Sequence, residues 1–292
     1  MSDQAATLRV IRGGGGSKDS STKIPRVITR RAFAVSGGKG GVGKSTVALN
    51  LAIAYAQAGH RTLVLDTDLG MADLNLLLGV APERSMLDAL GGTAIEDIIV
   101  KAHGIELLPA LNGSYVLSTL GGAALDQILK MVAGLAETFD TLVVDVAAGI
   151  GRAQTKFAGA TTDTIVVVNP EPLSMADAYA SLKVLSIEQG VKHAFVVPNR
   201  IANRAQADEV FNRLRSIVDR FLTLELTCLP SIPADHMVGE AAQIGVPLMV
   251  HAPDAPAARA VRALVRSLAT LQPPARNSWW RDVPVTAQGD VR

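Results

Sequence analysis

Cysteine is nearly missing from this 292-residue chain, with Cys228 standing alone. One thiol excludes an intrachain disulfide and any multi-thiolate metal site supplied by a single subunit, so Cys228 reads as a small residue for burial. Neither sign of charge is in excess: 28 Lys/Arg oppose 27 Asp/Glu, a net charge of +1. That balance argues against bulk electrostatic binding to nucleic acid and makes DNA an unexpected partner. No stretch approaches the roughly 18 uninterrupted apolar residues of a membrane-spanning helix. The opening MSDQAATLRV has no apolar signal-peptide core, so the expected location is cytoplasmic. Apolar residues are plentiful, 48% against 19% charged, which suits one large or two small globular domains. Disorder throughout, collagen and acidic-tail classes are excluded.

The charge is unevenly spread. Residues 1–31 carry seven Lys/Arg and two Asp/Glu, residues 32–275 carry 18 and 23, and residues 276–292 carry three and two. A mildly acidic body therefore follows a basic N-terminal segment. Residues 13–23, GGGGSKDSSTK, cannot bury apolar surface and read as a flexible linker. Pro273 and Pro274 stop any preceding helix. The expected organisation is a flexible basic tail at 1–30, one domain at 31–271 and an irregular tail at 272–292.

Within the domain, RAFAVSG (31–37), RTLVLD (61–66), DTLVVD (140–145), DTIVVV (163–168) and HAFVVP (193–198) are almost unbroken apolar runs. Such runs mark strands buried on both faces of a parallel sheet. Helical patterns fall between and after them at 44–58, 122–138, 174–189, 204–220 and 256–271. The βαβ rhythm predicts an α/β fold, a three-layer doubly wound and mostly parallel sheet with its ligand at the carboxyl ends of the strands.

Directly after the first strand, Gly37-Gly38-Lys39-Gly40-Gly41-Val42-Gly43-Lys44-Ser45-Thr46 fits G-x-x-x-x-G-K-[ST] from Gly38 to Ser45. The glycines let backbone N–H groups converge on phosphate oxygens, Lys44 supplies a point charge to the β/γ-phosphates, and Ser45 can place a hydroxyl on Mg²⁺. A helix starting near Lys44 adds its positive dipole end. With Lys39 inside K-G-G-x-G-K-S/T, the loop resembles the deviant Walker A motif of the MinD/ParA family of dimerising ATPases. That resemblance implies ATP and Mg²⁺ as cofactors, and a homodimer in which Lys39 reaches across to the partner's nucleotide.

Leu65-Asp66-Thr67-Asp68 brings two carboxylates to the same strand end, and residues two apart on an extended segment point the same way. By resemblance Asp66 holds Mg²⁺ water and Asp68 orients the attacking water, positioning rather than strong-base chemistry. Leu142-Val143-Val144-Asp145 is similar to Walker B, an apolar run delivering Asp145 to the metal's water shell. Val146-Ala147 departs from the Ser/Thr and Gly/Pro usual in the family. On the base side, Asn199 and Arg200 follow HAFVV where the family places an adenine-binding Asn, with Pro198 intruding. Ser-Ile-Pro-Ala-Asp (231–235) resembles the family's base loop and adds Pro233 and Asp235.

Further stretches resemble one branch, the flagellar-number regulators called FlhG, FleN or YlxH. They are Gly70-Met71-Ala72-Asp73-Leu74-Asn75-Leu76-Leu77-Leu78-Gly79, then Pro170-Glu171-Pro172, and Asp177-Ala178-Tyr179. Ser174 with Asp177 also reads as a capping box starting a helix. The N-terminal Asp3-Gln4-Ala5-Ala6-Thr7-Leu8-Arg9 matches the D-Q-A-x-x-L-R segment with which this branch engages FlhF, an SRP-type GTPase. The resemblance implies that Asp3, Gln4, Ala5, Leu8 and Arg9 bind that partner, with Gln4 acting on its nucleotide and Leu8 as an apolar anchor. Other partners it admits are flagellar switch-ring proteins, a flagellar transcription regulator and a transient membrane surface at the cell pole. For the last, Arg259, Arg262 and Arg266 share one stripe of a helix and Val261, Leu264, Val265 and Leu268 another, which fits either lipid contact or packing on the domain. The implied function is a slow, partner-stimulated ATPase switch for flagellar number or placement. The alternatives are a MinD-like division-site regulator and a ParA-like DNA- or cargo-positioning ATPase.

Overall fold

The computed structural model describes residues 30–38, 40–68, 73–110, 122–136 and 138–271. Lys39, the N-terminal residues Asp3, Gln4, Ala5, Leu8 and Arg9, the segment around Gly70 and residues 272–292 lie outside them.

Five fully buried segments make the middle of the sheet: β1 (Arg31–Ser36), β2 (Thr62–Asp66), β5 (Thr141–Asp145), β6 (Asp163–Val168) and most of β7 (His193–Ile201). Shorter strands complete it: β3 (Val100–Ala102), β4 (Ile105–Leu108), β8 (Glu225–Cys228) and β9 (Ile232–Pro233). The order is β3-β4-β2-β5-β1-β6-β7-β8, with β9 pairing β7. All pairings are parallel except the β3/β4 hairpin.

The alternation of side chains along each strand builds two cores. Ala32, Ala34, Leu63, Leu65, Leu142, Val144, Val166 and Val168 point to one, packed under α4 (Gly122–Ala136), α5 (Arg152–Gly159), α6 (Pro172–Gln189) and α7 (Arg204–Phe221). Phe33, Val35, Val64, Val143, Ile165 and Val167 point to the other, under α1 (Lys44–Gln57) and α10 (Pro256–Thr270). Strands buried on both faces have no polar face to show, which is why they read as continuous apolar runs. Helix α1 is apolar on most sides because it lies between the sheet and α10.

Four short helices lie between these elements: α2 (Asp73–Leu78), α3 (Met86–Leu90), α8 (His236–Gln243) and α9 (Leu248–His251). None was legible in advance. The start of α6 corrects the expected capping box. The helix begins at Pro172, after Glu171. Ser174 is already inside the first turn, and its Oγ accepts the Asn169 N–H at 3.0 Å. Pro at the first helical position needs no N–H partner, which moves the start two residues earlier. The stripe Val261, Leu264, Val265 and Leu268 of α10 is buried, so packing on the domain, not lipid contact, uses that face. No helix among the described residues is long and apolar enough to cross a membrane.

Candidate functional site

β1 delivers the chain to the carboxyl edge of the sheet, and the turn into α1 forms a glycine loop. Gly41 and Gly43 adopt φ of +81° and +96°, a region other residues enter only with strain. Space is equally restrictive. A Cβ at Gly38 would overlap the Asp177 carbonyl of α6, and one at Gly43 would come within 2.6 Å of Asn199 Nδ2. Gly40 and Gly41 are exposed, Val42 is anchored in the core, and Ser45 and Thr46 are half-buried at the helix start. Lys44 is buried.

Beside this loop, register puts Asp66 opposite Asp145. The strand stops at Asp66 because its Oδ1 accepts the Asp68 N–H at 2.9 Å. Asp68 therefore follows a turn, not the extended backbone that the two-residue spacing suggested. The carboxylates still converge electrostatically on Lys44, whose ammonium burial pushes below its ordinary range while Asp145, Asp68 and Asp73 pull it back up. Burial drives the Asp66 carboxyl up to about 7, against the backbone N–H groups of Asp68 and Leu74. Burial likewise drives Asp145 up to about 8, against a hydrogen bond from the Ser45 side chain. Asp145 Oδ1 is buried with no hydrogen-bond partner among the described residues.

Buried carboxylates short of solvation, one with an orphaned oxygen, beside a hydroxyl and a lysine, fit a hydrated divalent cation carried in with phosphate. No group of three or more His, Cys, Asp or Glu among the described residues could hold a metal. Ser45, phosphate oxygens and water must therefore complete any coordination, as suits a small cation that keeps much of its shell.

A cavity of ≈ 500 Å³ opens from the loop, within the range of small-molecule sites. Gly43, Thr46, Asn199, Arg200, Pro233 and Asp235 line it together with apolar Val47, Ile232, Val238, Leu248 and Val261. The structure thus brings the residues expected on the base side to one place, and two of them carry unforeseen work. Asn199 is buried and donates Nδ2–H to the Val42 carbonyl at 2.8 Å. Asp235 carries a structural load as well: Oδ1 accepts the Met237 N–H that caps α8, and Oδ2 accepts the Ala257 N–H at the start of α10, both at 3.0 Å. Its carboxylate ties two helix starts together. Arg200 is exposed with φ of +56°. Pro198 fits β7 because β8 has already ended, its last register pair being Val196 with Cys228.

Sequence reasoning missed Asn50 and Thr67. Asn50 lines the cavity, donates to the Thr46 carbonyl at 2.8 Å and accepts the Met249 N–H at 2.9 Å. The available signal was a single Asn inside the apolar run VALNLAIAY. Thr67 is buried between the two carboxylate-bearing positions. Val146 proves to be a core residue whose N–H donates to the Val35 carbonyl at 3.0 Å. Cys228 is exposed at the end of β8, a half-exposed edge strand, and not the buried small residue expected. Partial desolvation of its thiol still pushes it up to about 11, leaving little thiolate for metal binding or nucleophilic attack at neutral pH.

Comparison with known proteins places this geometry in a family. The family model ParA, described as NUBPL iron-transfer P-loop NTPase, matches residues 28–269. The antiactivator FleN of Pseudomonas aeruginosa is 35% identical over 215 residues, 73% of this chain and 77% of FleN. The flagellum site-determining protein YlxH of Helicobacter pylori is 34% identical over 204 residues, 68% of each chain. Among solved structures, the cell-division ATPase MinD of Pyrococcus furiosus superposes with a TM-score of 0.70 at 25% identity, covering 83% of this chain and 99% of that one. MinD of Pyrococcus horikoshii, complexed with Mg-ADP, gives a TM-score of 0.69 at 25% identity over 83% and 97%. A single cysteine cannot supply the set of thiolates that holds an iron–sulfur cluster within one subunit. Glycine loop, opposed carboxylates and doubly wound sheet agree with these matches: the chain belongs to the MinD/ParA family of P-loop NTPases, on its FleN/YlxH side.

Proposed function

We propose that the protein is a Mg²⁺-dependent, slowly hydrolysing ATPase that homodimerises with ATP and regulates flagellar number or placement. The observation that carries the reading is the buried Lys44 at the mouth of the glycine loop, with Asp66, Asp68 and Asp145 acting around it and the cavity alongside. Likeness to FleN and YlxH supports the flagellar role.

When bound, Mg²⁺-ATP supplies the transferable phosphoryl group and the cation that offsets its charge. The backbone N–H groups of Gly40, Gly41, Val42, Gly43 and Lys44 and the Lys44 ammonium hold phosphate oxygens. Ser45, Asp66 and Asp145 hold the cation and its water shell. Asp68 orients the attacking water, Lys39 acts across the dimer, and Thr46, Asn199, Arg200, Pro233 and Asp235 shape the nucleoside end. Gly38 keeps the loop packed on α6. Through residues 1–12, the protein stimulates an SRP-type GTPase of the FlhF kind; Asp3, Gln4, Ala5, Leu8 and Arg9 make that contact. Residues 1–30 serve as the partner-binding tail and 31–271 as the ATPase domain.

A MinD-like division-site role is the second reading, favoured by the structural likeness to MinD. A pull-down with ATP present discriminates them by whether a flagellar GTPase or a division protein is retained. The ATPase reading itself is tested by two variants. Lys44→Ala loses binding of a fluorescent ATP analogue, whereas Asp68→Ala binds ATP and accumulates dimer by light scattering. Unchanged affinity in the first, or a monomeric and fully hydrolysing second variant, rejects these roles.

A further inference from the structure

Thr67 lies between Asp66 and Asp68, and its hydroxyl belongs to neither the phosphate loop nor the cavity. It is 2% exposed. Its Oγ donates to the Asp145 carbonyl at 2.7 Å and accepts the Ala147 N–H at 3.3 Å. The Thr67 N–H donates to the same Asp145 carbonyl at 3.1 Å. One side chain therefore bridges both sides of the peptide stretch that leaves β5. Past that stretch the chain is exposed at Ala148, Gly149 and Ile150, with Gly149 at φ of +105°. Val146 between them is fixed independently, by its core side chain and its bond to Val35. Ala147 N–H is thus the last backbone donor held before the exposed turn, and Thr67 holds it.

We infer that Thr67 is a positioning residue that couples the loop carrying Asp68 to the segment after Asp145. Resting on the ATPase reading, the inference assigns to Thr67 the relative placement of the water-orienting carboxylate and the exposed turn. A hydroxyl whose bonds run to the Asp145 carbonyl and the Ala147 N–H acts on turnover by keeping these two loops in one arrangement. Misplacement of a reacting group by as little as 1 Å costs up to about a hundredfold in rate, so a clamp at this point belongs to kcat. The Thr67 bonds reach the backbone of Asp145 and Ala147, not the carboxylates or the phosphate loop, so nucleotide affinity should change little.

The test compares Thr67→Val, isosteric but without the hydroxyl, with Thr67→Ser, which keeps it. In the nucleotide-free protein, the Ala147 amide should exchange with solvent at least about fivefold faster in Thr67→Val, the factor contributed by one ordinary hydrogen bond. Amides in the middle of β6 should keep their wild-type rates, and Thr67→Ser should restore protection. In steady-state assays Thr67→Val should lower kcat about tenfold with ATP affinity unchanged, and Thr67→Ser should recover most of the loss. Wild-type exchange at Ala147 in Thr67→Val overturns the clamp, whatever the enzyme does. An affinity loss that parallels lowered thermal stability, with kcat intact, overturns its positioning role. A wild-type protein that does not hydrolyse ATP at all rejects the ATPase reading instead, and the exchange data still decide whether the clamp exists.

Discussion

Asn199 has two possible audiences, a base in the cavity and the glycine loop beside it. The bond it makes is to the loop, Nδ2 to the Val42 carbonyl at 2.8 Å, and it approaches Gly43 so closely that no Cβ would fit there. A residue that only read the base would matter to ADP and not to pyrophosphate, which has no base. Asn199→Ala should weaken both ligands, pyrophosphate by about fivefold as expected for a lost hydrogen bond of ordinary strength. Isothermal titration with each ligand in Mg²⁺ measures this; pyrophosphate affinity equal to wild type would leave Asn199 as a base contact alone. The same residue shows how far sequence could go. Asn199 was legible through its position after an apolar strand, but its partner was not, because a side-chain amide offers donors and an acceptor in any direction and only tertiary placement chooses between them. Asp235 makes the point more strongly. A carboxylate in a Pro-containing loop near a ligand suggests chemistry, yet two helix N-termini converge on it and occupy both oxygens, an arrangement the helix dipoles favour.

At the scale of elements, the central strands were readable because burial on both faces leaves an unbroken apolar record. The edges left none. β3 is three residues long with a lysine at its centre, and β8 is half-exposed, so neither alternates nor runs apolar. Helices as short as α2 or α9 carry too little periodicity to be seen and are stabilised by packing, not propensity. A charged pair escaped notice for a different reason: nothing in sequence couples Arg31 to Asp163. In the structure their side chains are 8% and 0% exposed and joined through Nε–Oδ2 at 3.1 Å and Nη2–Oδ1 at 2.6 Å. The remaining Arg31 nitrogen donates to the carbonyls of Leu268 and Leu271. Thus one guanidinium joins β1, β6 and the C-terminal end of α10, where a cation also suits the helix dipole. Removing one member of a buried pair strands the other charge, at a cost of about 3–5 kcal/mol. Arg31→Met should therefore lower the unfolding free energy by about that amount in urea titrations followed by circular dichroism. A loss below about 1 kcal/mol, the level of an exposed pair, would show that Asp163 finds other solvation.

For the molecule as a whole, charge is divided by position. Residues 32–275 carry 18 basic and 23 acidic side chains, while residues 1–31 carry seven and two. A sum of +1 conceals a body and a terminal segment of opposite sign, and the two should attract different partners. The site described above lies entirely within the body. Deleting residues 1–12, which removes Arg9 and Arg12 along with the D-Q-A segment, should therefore leave ATP affinity and ATP-dependent dimerisation unchanged. The same deletion should abolish stimulation of an SRP-type GTPase, measured as phosphate release from GTP with the intact and shortened chains. Charge steering and apolar anchoring make separable contributions to that contact. Raising salt from about 0.1 M to about 1 M shortens the screening length from about 10 to about 3 Å, which should slow association of the intact chain. Leu8→Asp should instead weaken the complex at every salt concentration, since it removes the anchor and not the field. Stimulation that survives the deletion would move the contact onto the acidic body, and a response to salt without any response at Leu8 would reduce the segment to electrostatic steering.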